Sequence, residues 1–246
     1  MEVPVYITIS VGATTVAVVL AITATLRSVR EETDPAAIPG VAGAGLFLWL
    51  VATTVLALEG AYTPTPAGVP GVPIAFAVGL AGAWSAVLAS PALRALISRP
   101  RVQSRLIAVQ VWRILGITFL VLFYLGQLPA LFALPAGLGD ITAGFAAPFV
   151  ARQLSRPSGR LWAIAWNVYG LLDLIIALGL GATVNSGPIQ VFHTSPSATV
   201  MTVLPMVLIP TFMVPISMLL HVVSLRFLLS AQSALIGRYI APSRAM

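Results

Sequence analysis

The sequence predicts an all-α fold, a polytopic transmembrane bundle of seven helices. Of its 246 residues, 59% are hydrophobic and 8% are charged, and the mean hydropathy is +1.00. A soluble domain is typically about 25% charged, so this chain has too few charges to cover a water-facing surface. The spacing of the apolar segments and the placement of the arginines support the same conclusion.

Seven apolar segments are long enough to cross a bilayer, which requires about 20 mainly apolar residues. We place them at about 5–26, 38–59, 72–97, 106–128, 136–153, 161–183 and 198–229. The connections are short and rich in proline and glycine, which is typical of turns. The chain 1–246 is therefore expected to form a single transmembrane domain.

The arginines fix the predicted topology. Short-loop arginine marks the cytoplasmic side of a membrane, and with seven crossings alternate loops lie on opposite sides. The segments on one side contain no arginine, and the other side holds Arg27, Arg30, Arg94, Arg99, Arg101, Arg105, Arg152, Arg156, Arg160, Arg226, Arg238 and Arg244. This segregation predicts that the N-terminus lies outside and the C-terminus in the cytoplasm.

Missing residue types exclude several classes of site. The chain has no cysteine, which excludes disulfides, thiolate metal sites and cysteine nucleophiles within it. It has no lysine, so it cannot form a retinal Schiff base. The sequence contains no HExxH, GxSxG or P-loop pattern and no cluster with metal-ligand spacing. Nothing in the sequence supports an enzyme, and an intramembrane enzyme acting on a lipid is the least favoured alternative.

Arg113 lies inside the fourth segment, where a charge costs roughly 2.5–3.5 kcal/mol on insertion scales. Polar residues recur with it at helical spacing, and we expect this face to point into the bundle because lipid would leave it unsatisfied. The predicted inward face consists of Gln110, Arg113, Ile117, Leu120, Tyr124 and Gln127.

Asp173, near the middle of the sixth segment, is the expected partner of Arg113, because an arginine–carboxylate pair can form two parallel hydrogen bonds. Two interpretations remain open. The pair fixes helix packing, or it binds or moves a proton, an ion or an anionic solute. An unpaired Arg113 would instead favour an anionic ligand.

Asp140 and three prolines complete the predicted polar framework. The stretch "LPAGLGD" predicts that the fifth helix begins near Pro135, with Asp140 in its first turns, where the helix dipole favours a negative charge. There Asp140 either only satisfies the preference of a helix N-terminus for negative charge, or it forms part of an outer vestibule for a cation or proton. Pro205, Pro210 and Pro215 predict that the seventh helix is bent.

The leading functional prediction is a transporter or channel-like protein for a small solute or ion. Proton coupling through the buried polar residues is one option within this prediction. The predicted substrate or ion pathway consists of Arg113, Asp173, Asn167, His221, Asp140, Gln110 and Tyr124. The alternative is a non-enzymatic subunit, or a cofactor- or pigment-binding component, of a larger membrane complex. In that case His221 is a candidate haem ligand. The expected partners are the lipid bilayer and further membrane subunits, identical or different, and not nucleic acid.

Several segments also resemble a group of uncharacterised bacterial seven-helix integral membrane proteins. The resemblance covers roughly residues 106–229 and rests on His221 and on "RILG", "GQLPALFALPAGLGD", "WNVYGLLDL" and "LIPTFMVP". It implies a multi-pass protein of the bacterial plasma membrane, and it implies no particular activity.

Overall fold

The computed structural model describes residues 3–64, 68–156 and 158–240, and for residues 231–240 it describes the backbone alone. Within these residues the fold is all-α, without β-strands, as predicted. Among the described residues, seven helices are long and apolar enough to cross a membrane, so the chain is a multi-pass membrane protein. They are Val5–Ser28, Ile38–Leu58, Gly71–Ala89, Pro100–Tyr124, Ala130–Gln153, Gly159–Val184 and Ile209–Ser230.

The first three spans are the regular helices α1 (Val5–Ser28), α2 (Ile38–Leu58) and α3 (Gly71–Ala89). The predicted third helix was too long, because a separate helix α4 (Pro91–Ile97) follows α3. Proline disfavours helical backbone at the residue before it, and Ser90 is accordingly extended. The Ser90 hydroxyl then accepts a hydrogen bond from the Leu93 amide at 3.1 Å and caps α4.

The fourth span consists of three pieces that run on without a loop. They are α5 (Pro100–Val109), a 3₁₀ helix (Gln110–Gly116) and α6 (Ile117–Tyr124). A 3₁₀ helix has three residues per turn instead of 3.6. Seven residues in this form rotate everything that follows by about 140° relative to a continuous α-helix.

The fifth and sixth spans are α7 (Ala130–Gln153) and α8 (Gly159–Val184). The prediction that the fifth helix begins near Pro135 was wrong, because α7 starts directly after Pro129 and holds Pro135 in its interior. Asp140 is therefore about 15 Å from the start of α7, beyond the reach of a first-turn dipole effect.

The seventh span is irregular, as its prolines predicted. A short 3₁₀ helix (Thr199–Thr202) and a π-helix (Ile209–Met213) precede the long helix α9 (Val214–Ile240). Pro210 lies within the π-helix and Pro215 in the first turn of α9, positions where a missing amide removes a regular helical hydrogen bond.

Apart from Arg113, the described arginines that contact other elements lie at one end of the bundle, which we call the arginine-rich end. Arg99 donates to Asp34 Oδ2 at 2.7 Å and Oδ1 at 2.9 Å, which ties the α4–α5 connection to the α1–α2 loop. Arg160 donates to the carbonyl of Leu228, which ties α8 to α9. Arg244 lies outside the described residues, and only the backbone of Arg238 is described.

The Arg99–Asp34 pair predicts an acid-sensitive contribution to stability. The Arg99 hydrogen bond holds the pKa of the Asp34 carboxyl below its ordinary value of 3.8. A lowered native pKa stabilises the fold above the unfolded-state pKa, and this stability is lost as the pH falls through the native value. At pH 7, Asp34→Asn should lower the unfolding temperature by about 2–4 °C, and the difference should shrink as the pH falls below the ordinary carboxyl pKa of 3.8.

Thermal unfolding of the detergent-solubilised protein between pH 7 and pH 3 measures this. Glu32→Gln removes a carboxylate from the same loop outside the pair and is the matched control. A difference between the Asp34 variant and the wild type that persists unchanged at pH 3 would contradict the ion-pair explanation.

Candidate functional site: a buried arginine between two carboxylates

The guanidinium of Arg113 has no exposed surface and is surrounded by hydrogen-bond partners from three helices. Its Nε donates to Asp140 Oδ1 on α7 at 2.7 Å, and its Nη2 donates to Asp173 Oδ2 on α8. Its Nη1 lies 3.1 Å from His221 Nε2 on α9 and 3.4 Å from the Gly170 carbonyl. The predicted pairing of Arg113 with Asp173 is confirmed, and Asp140 is a second carboxylate partner.

His221 is held in one neutral tautomer by this geometry. Arginine has only donors, so His221 Nε2 must accept from Arg113, and the ring proton must be on Nδ1. Nδ1 then donates to Asn167 Oδ1 at 2.9 Å. Asn167 Nδ2 in turn donates to Ser224 Oγ at 3.0 Å. The Trp166 ring packs on the imidazole with 4.8 Å between centroids. We call Arg113, Asp140, Asp173, His221, Asn167 and Ser224 the buried polar cluster.

Both ring nitrogens of His221 are therefore occupied by hydrogen bonds, and its side chain is completely buried. A haem iron would need one of these nitrogens as its ligand. The arrangement does not fit the predicted alternative in which His221 binds haem.

Four glycines allow the helices to approach closely enough to form the cluster. A Cβ atom on Gly139 would overlap the Asp173 carboxylate, and one on Gly170 would overlap the His221 ring. A Cβ atom on Gly144 would lie 2.9 Å from the Arg113 carbonyl carbon, and one on Gly116 would lie 3.0 Å from the Gly137 carbonyl oxygen. The 3₁₀ helix, α7 and α8 meet at these positions because no side chain separates them.

The cluster lies near the middle of the membrane-spanning region. Asp140 is ten residues from the start of α7, and Asp173 is eleven residues from the end of α8. At 1.5 Å per residue, both carboxylates lie about 15 Å from the same end of their helices. This end is opposite the arginine-rich end. The predicted midplane position of Asp173 agrees with this arrangement.

Gln110 is buried as predicted, but it pairs with α9 outside the cluster. Its Oε1 accepts from the Ser217 hydroxyl at 2.7 Å, and its Nε2 donates to the Ser217 carbonyl at 3.3 Å. The inward orientation predicted for Tyr124 was wrong, because its side chain is 89% exposed. The 3₁₀ helix rotates the face of α6, so Phe119 and Leu122 point inward instead.

A cavity extends from the end of the bundle opposite the arginines to Asp140. Its walls are mainly apolar and come from the start of α3, from α6, α7 and α8, and from the short 3₁₀ helix and the π-helix that precede α9. They include Phe119, Phe132, Leu174, Ala177, Met201 and Ile209. Asp140 is 4% exposed and lines this cavity while its Oδ1 contacts Arg113. The carboxylate thus connects the cavity with the buried polar cluster.

The cluster contains more acidic groups than basic ones. When both carboxylates are ionised, Arg113 neutralises only one of them, and the neutral His221 adds no charge. The net charge of the described groups is then −1. Burying an uncompensated charge in a low-dielectric interior is unfavourable, so this arrangement favours binding of one proton or one monovalent cation.

Neither the contact between Asp140 and Arg113 nor the role of the four glycines was predicted from the sequence. A usable signal for the glycines was present, because each lies within four positions of a charged residue of the cluster in the chain. Gly116 and Gly170 are three residues from Arg113 and Asp173, and Gly139 and Gly144 flank Asp140. Glycine beside a membrane charge leaves room for the partner side chain from the neighbouring helix.

Comparison with known proteins places the chain in a family. A family model described as Domain of unknown function (DUF8737) matches residues 69–229, and the chain belongs to this family. No curated protein and no solved structure matches the chain. The matched range includes every residue of the buried polar cluster, and it also includes the segments on which the resemblance to bacterial membrane proteins rests. The bacterial plasma membrane stays a prediction.

The close packing at Gly139 predicts an unusual response to alanine. Gly139→Ala should destabilise the protein by about 1–3 kcal/mol, because the new Cβ must displace Asp173 from Arg113. Gly82→Ala is the control, since nothing lies within 4 Å of its Cβ position, and it should be neutral or stabilise the helix by up to about 1 kcal/mol. Unfolding in detergent measures both, and equal stabilities would contradict the packing argument.

The charge count predicts that substituting Arg113 alone destabilises the protein, and that substituting its two carboxylate partners as well restores stability. Arg113→Met leaves two buried carboxylates without a cation and should cost about 3–5 kcal/mol. The triple variant Arg113→Met, Asp140→Asn, Asp173→Asn removes all three charges and should recover most of this loss. The same unfolding assay decides the matter, and a triple variant no more stable than Arg113→Met would refute the charge explanation.

Proposed function

We propose that this member of the DUF8737 family is a membrane transporter for a small solute or ion, coupled to protons at the buried polar cluster. One observation carries the proposal. The cluster has one carboxylate more than it has cations, and one of its carboxylates, Asp140, lines a cavity that opens at the end of the bundle.

The net charge of −1, which Arg113 does not compensate, makes the cluster suited to binding a proton. The charge of the ionised groups is −1, and a low-dielectric environment favours neutralising it. One proton shared between Asp140 and Asp173 accomplishes this, and it belongs to the pair because both carboxylates bind the same guanidinium. Arg113 contacts both carboxylates, and His221 contacts Arg113. A site whose charge state depends on one exchangeable proton is suited to coupling.

Hydrogen bonds continue from the cluster toward the arginine-rich end. They run from Arg113 through His221 and Asn167 to Ser224, which lies two residues before Arg226. Histidine is a common proton shuttle, but the Asn167 side-chain amide neither gains nor loses a proton at physiological pH. These hydrogen bonds therefore fix the position of His221 and do not themselves conduct a proton to Ser224. The cavity reaches the cluster from the end of the bundle opposite the arginines, and these hydrogen bonds extend from the cluster toward the arginine-rich end.

The orientation of the protein follows from the arginines in this proposal. Arginine in short loops marks the cytoplasmic side, so the arginine-rich end lies in the cytoplasm and the cavity opens outside. The N-terminus is then outside and the C-terminus cytoplasmic, in the bacterial plasma membrane. The π-helix forms part of the wall of this cavity through Ile209 and Pro210, and π-helical turns are frequent at functional sites.

Asp173→Asn should abolish solute-coupled proton movement while leaving the fold intact, because the remaining Arg113–Asp140 pair is neutral. The measurement uses proteoliposomes loaded with a pH-sensitive dye, to which inorganic ions, sugars, organic acids and amines are added one at a time. Asp34→Asn removes a carboxylate at the arginine-rich end and should behave like the wild type. Wild-type liposomes without proton movement for any solute, or an Asp173 variant with unchanged flux, would refute the proposal.

A further inference from the structure

We infer that the transported solute is an organic monocation, an amine or quaternary ammonium with an apolar body, whose positive charge lies at Asp140 in place of the shared proton. The inference deepens the proposed function and rests on it. It follows from the charge, the walls and the depth of the cavity.

The positive charge of the solute is inferred from the group of the cluster that reaches the cavity. Asp140 lines it, and it is the only charged side chain among the described lining residues. Arg113 is completely buried, and its nitrogens donate to Asp140, Asp173, His221 and Gly170. An anionic solute would therefore meet a carboxylate before it met the guanidinium, whereas a cation meets a carboxylate directly.

The walls of the cavity favour a cation with an apolar body over an inorganic ion. A metal cation needs several oxygen ligands to replace its hydration shell. Among the described residues, no three His, Cys, Asp or Glu side chains are arranged to hold one. Phe119 and Phe132 pack together with 5.5 Å between ring centroids, and both line the cavity. Aromatic faces attract organic cations, and the aliphatic walls bury apolar groups.

The length of the cavity sets where the two parts of the solute lie. Asp140 is at the deep end, about 15 Å along α7, and Asn185 and Ser186 lie beyond the end of α8 at the mouth. The cationic group would enter first, with its apolar body against the walls between Asp140 and the mouth.

The same charge count implies that the cluster binds either a proton or the cationic solute, but not both at once. The cluster is neutral with one proton, and it is equally neutral with one bound monocation and no proton. Holding both would give a net charge of +1, which burial disfavours. When the cation binds, the carboxylic O–H bond breaks and the proton leaves to water, so one positive charge replaces another. This exchange is the physical basis of antiport.

The test uses benzyltrimethylammonium and its uncharged carbon isostere, neopentylbenzene, with the purified wild-type protein. Calorimetry measures the binding of each, and a pH indicator in weakly buffered solution measures proton release. We expect the cation to bind at least tenfold more tightly than the isostere and to release about one proton per molecule bound. Its affinity should fall about tenfold for each unit by which the pH is lowered below the point where the cluster gains its proton.

Variants then locate the site. Asp140→Asn should remove the preference for the cation and the proton release, and Ala177→Phe should block binding by filling the cavity without changing a charge. Glu59→Gln is the matched control, because Glu59 is an exposed carboxylate at the same end of the bundle and outside the cavity lining. It should bind the cation like the wild type. The wild-type comparison needs no variant, so it decides even where Asp140→Asn fails to fold.

The outcomes separate this inference from the proposed function. Equal binding of the cation and the isostere, or binding of neither, overturns the inference. If proton movement with another solute is then still lost in Asp173→Asn, the proposed function stands without it. Cation binding with no proton release and no dependence on pH overturns the exchange, and it overturns proton coupling as well.

Discussion

A guanidinium without exposed surface, held between two carboxylates in the middle of the bundle, is the interaction on which the rest of this structure depends. Arg113 joins the 3₁₀ helix to α7 through Asp140, to α8 through Asp173 and to α9 through His221. Four elements must therefore meet at one point. The absence of side chains at the glycines around the cluster makes that meeting possible, and the tight winding of the 3₁₀ helix directs the arginine toward it.

The composition of the cluster is hard to explain by stability alone. A buried ion pair is often no more stable than apolar residues of similar volume, because desolvation offsets the attraction between the charges. One carboxylate would suffice to neutralise Arg113, and the second adds an unbalanced charge. That second carboxylate, Asp140, is the one that lines the cavity. The uncompensated charge and the contact with the cavity are therefore both found at Asp140. A ligand-binding site needs both features, whereas a purely structural ion pair needs neither.

Much of the fold could be predicted from the sequence, because membrane insertion places strong limits on composition. Apolar length and arginine placement predicted seven spans, and the depth of Asp173 predicted its pairing with Arg113. The errors share a cause. Tyr124 was assigned to the inward face by assuming one helical period, and a local change to 3₁₀ winding depends on tertiary packing that no period reveals. Asp140 was placed near a helix end because Pro135 was taken as the start of α7, whereas a membrane helix accommodates an interior proline.

The order of these residues along the chain has a consequence for how the protein is made. Asp140 follows Arg113 by 27 residues, and Asp173 follows it by 60. Because the chain is made from its N-terminus, the fourth span reaches the membrane before α7 and α8, which carry the carboxylate partners of its arginine. The span must therefore enter the bilayer on the strength of its apolar residues, or wait beside the insertion machinery until α7 and α8 arrive. Assembly of the cluster is in this sense a late event in biosynthesis, and it closes the bundle from the C-terminal side.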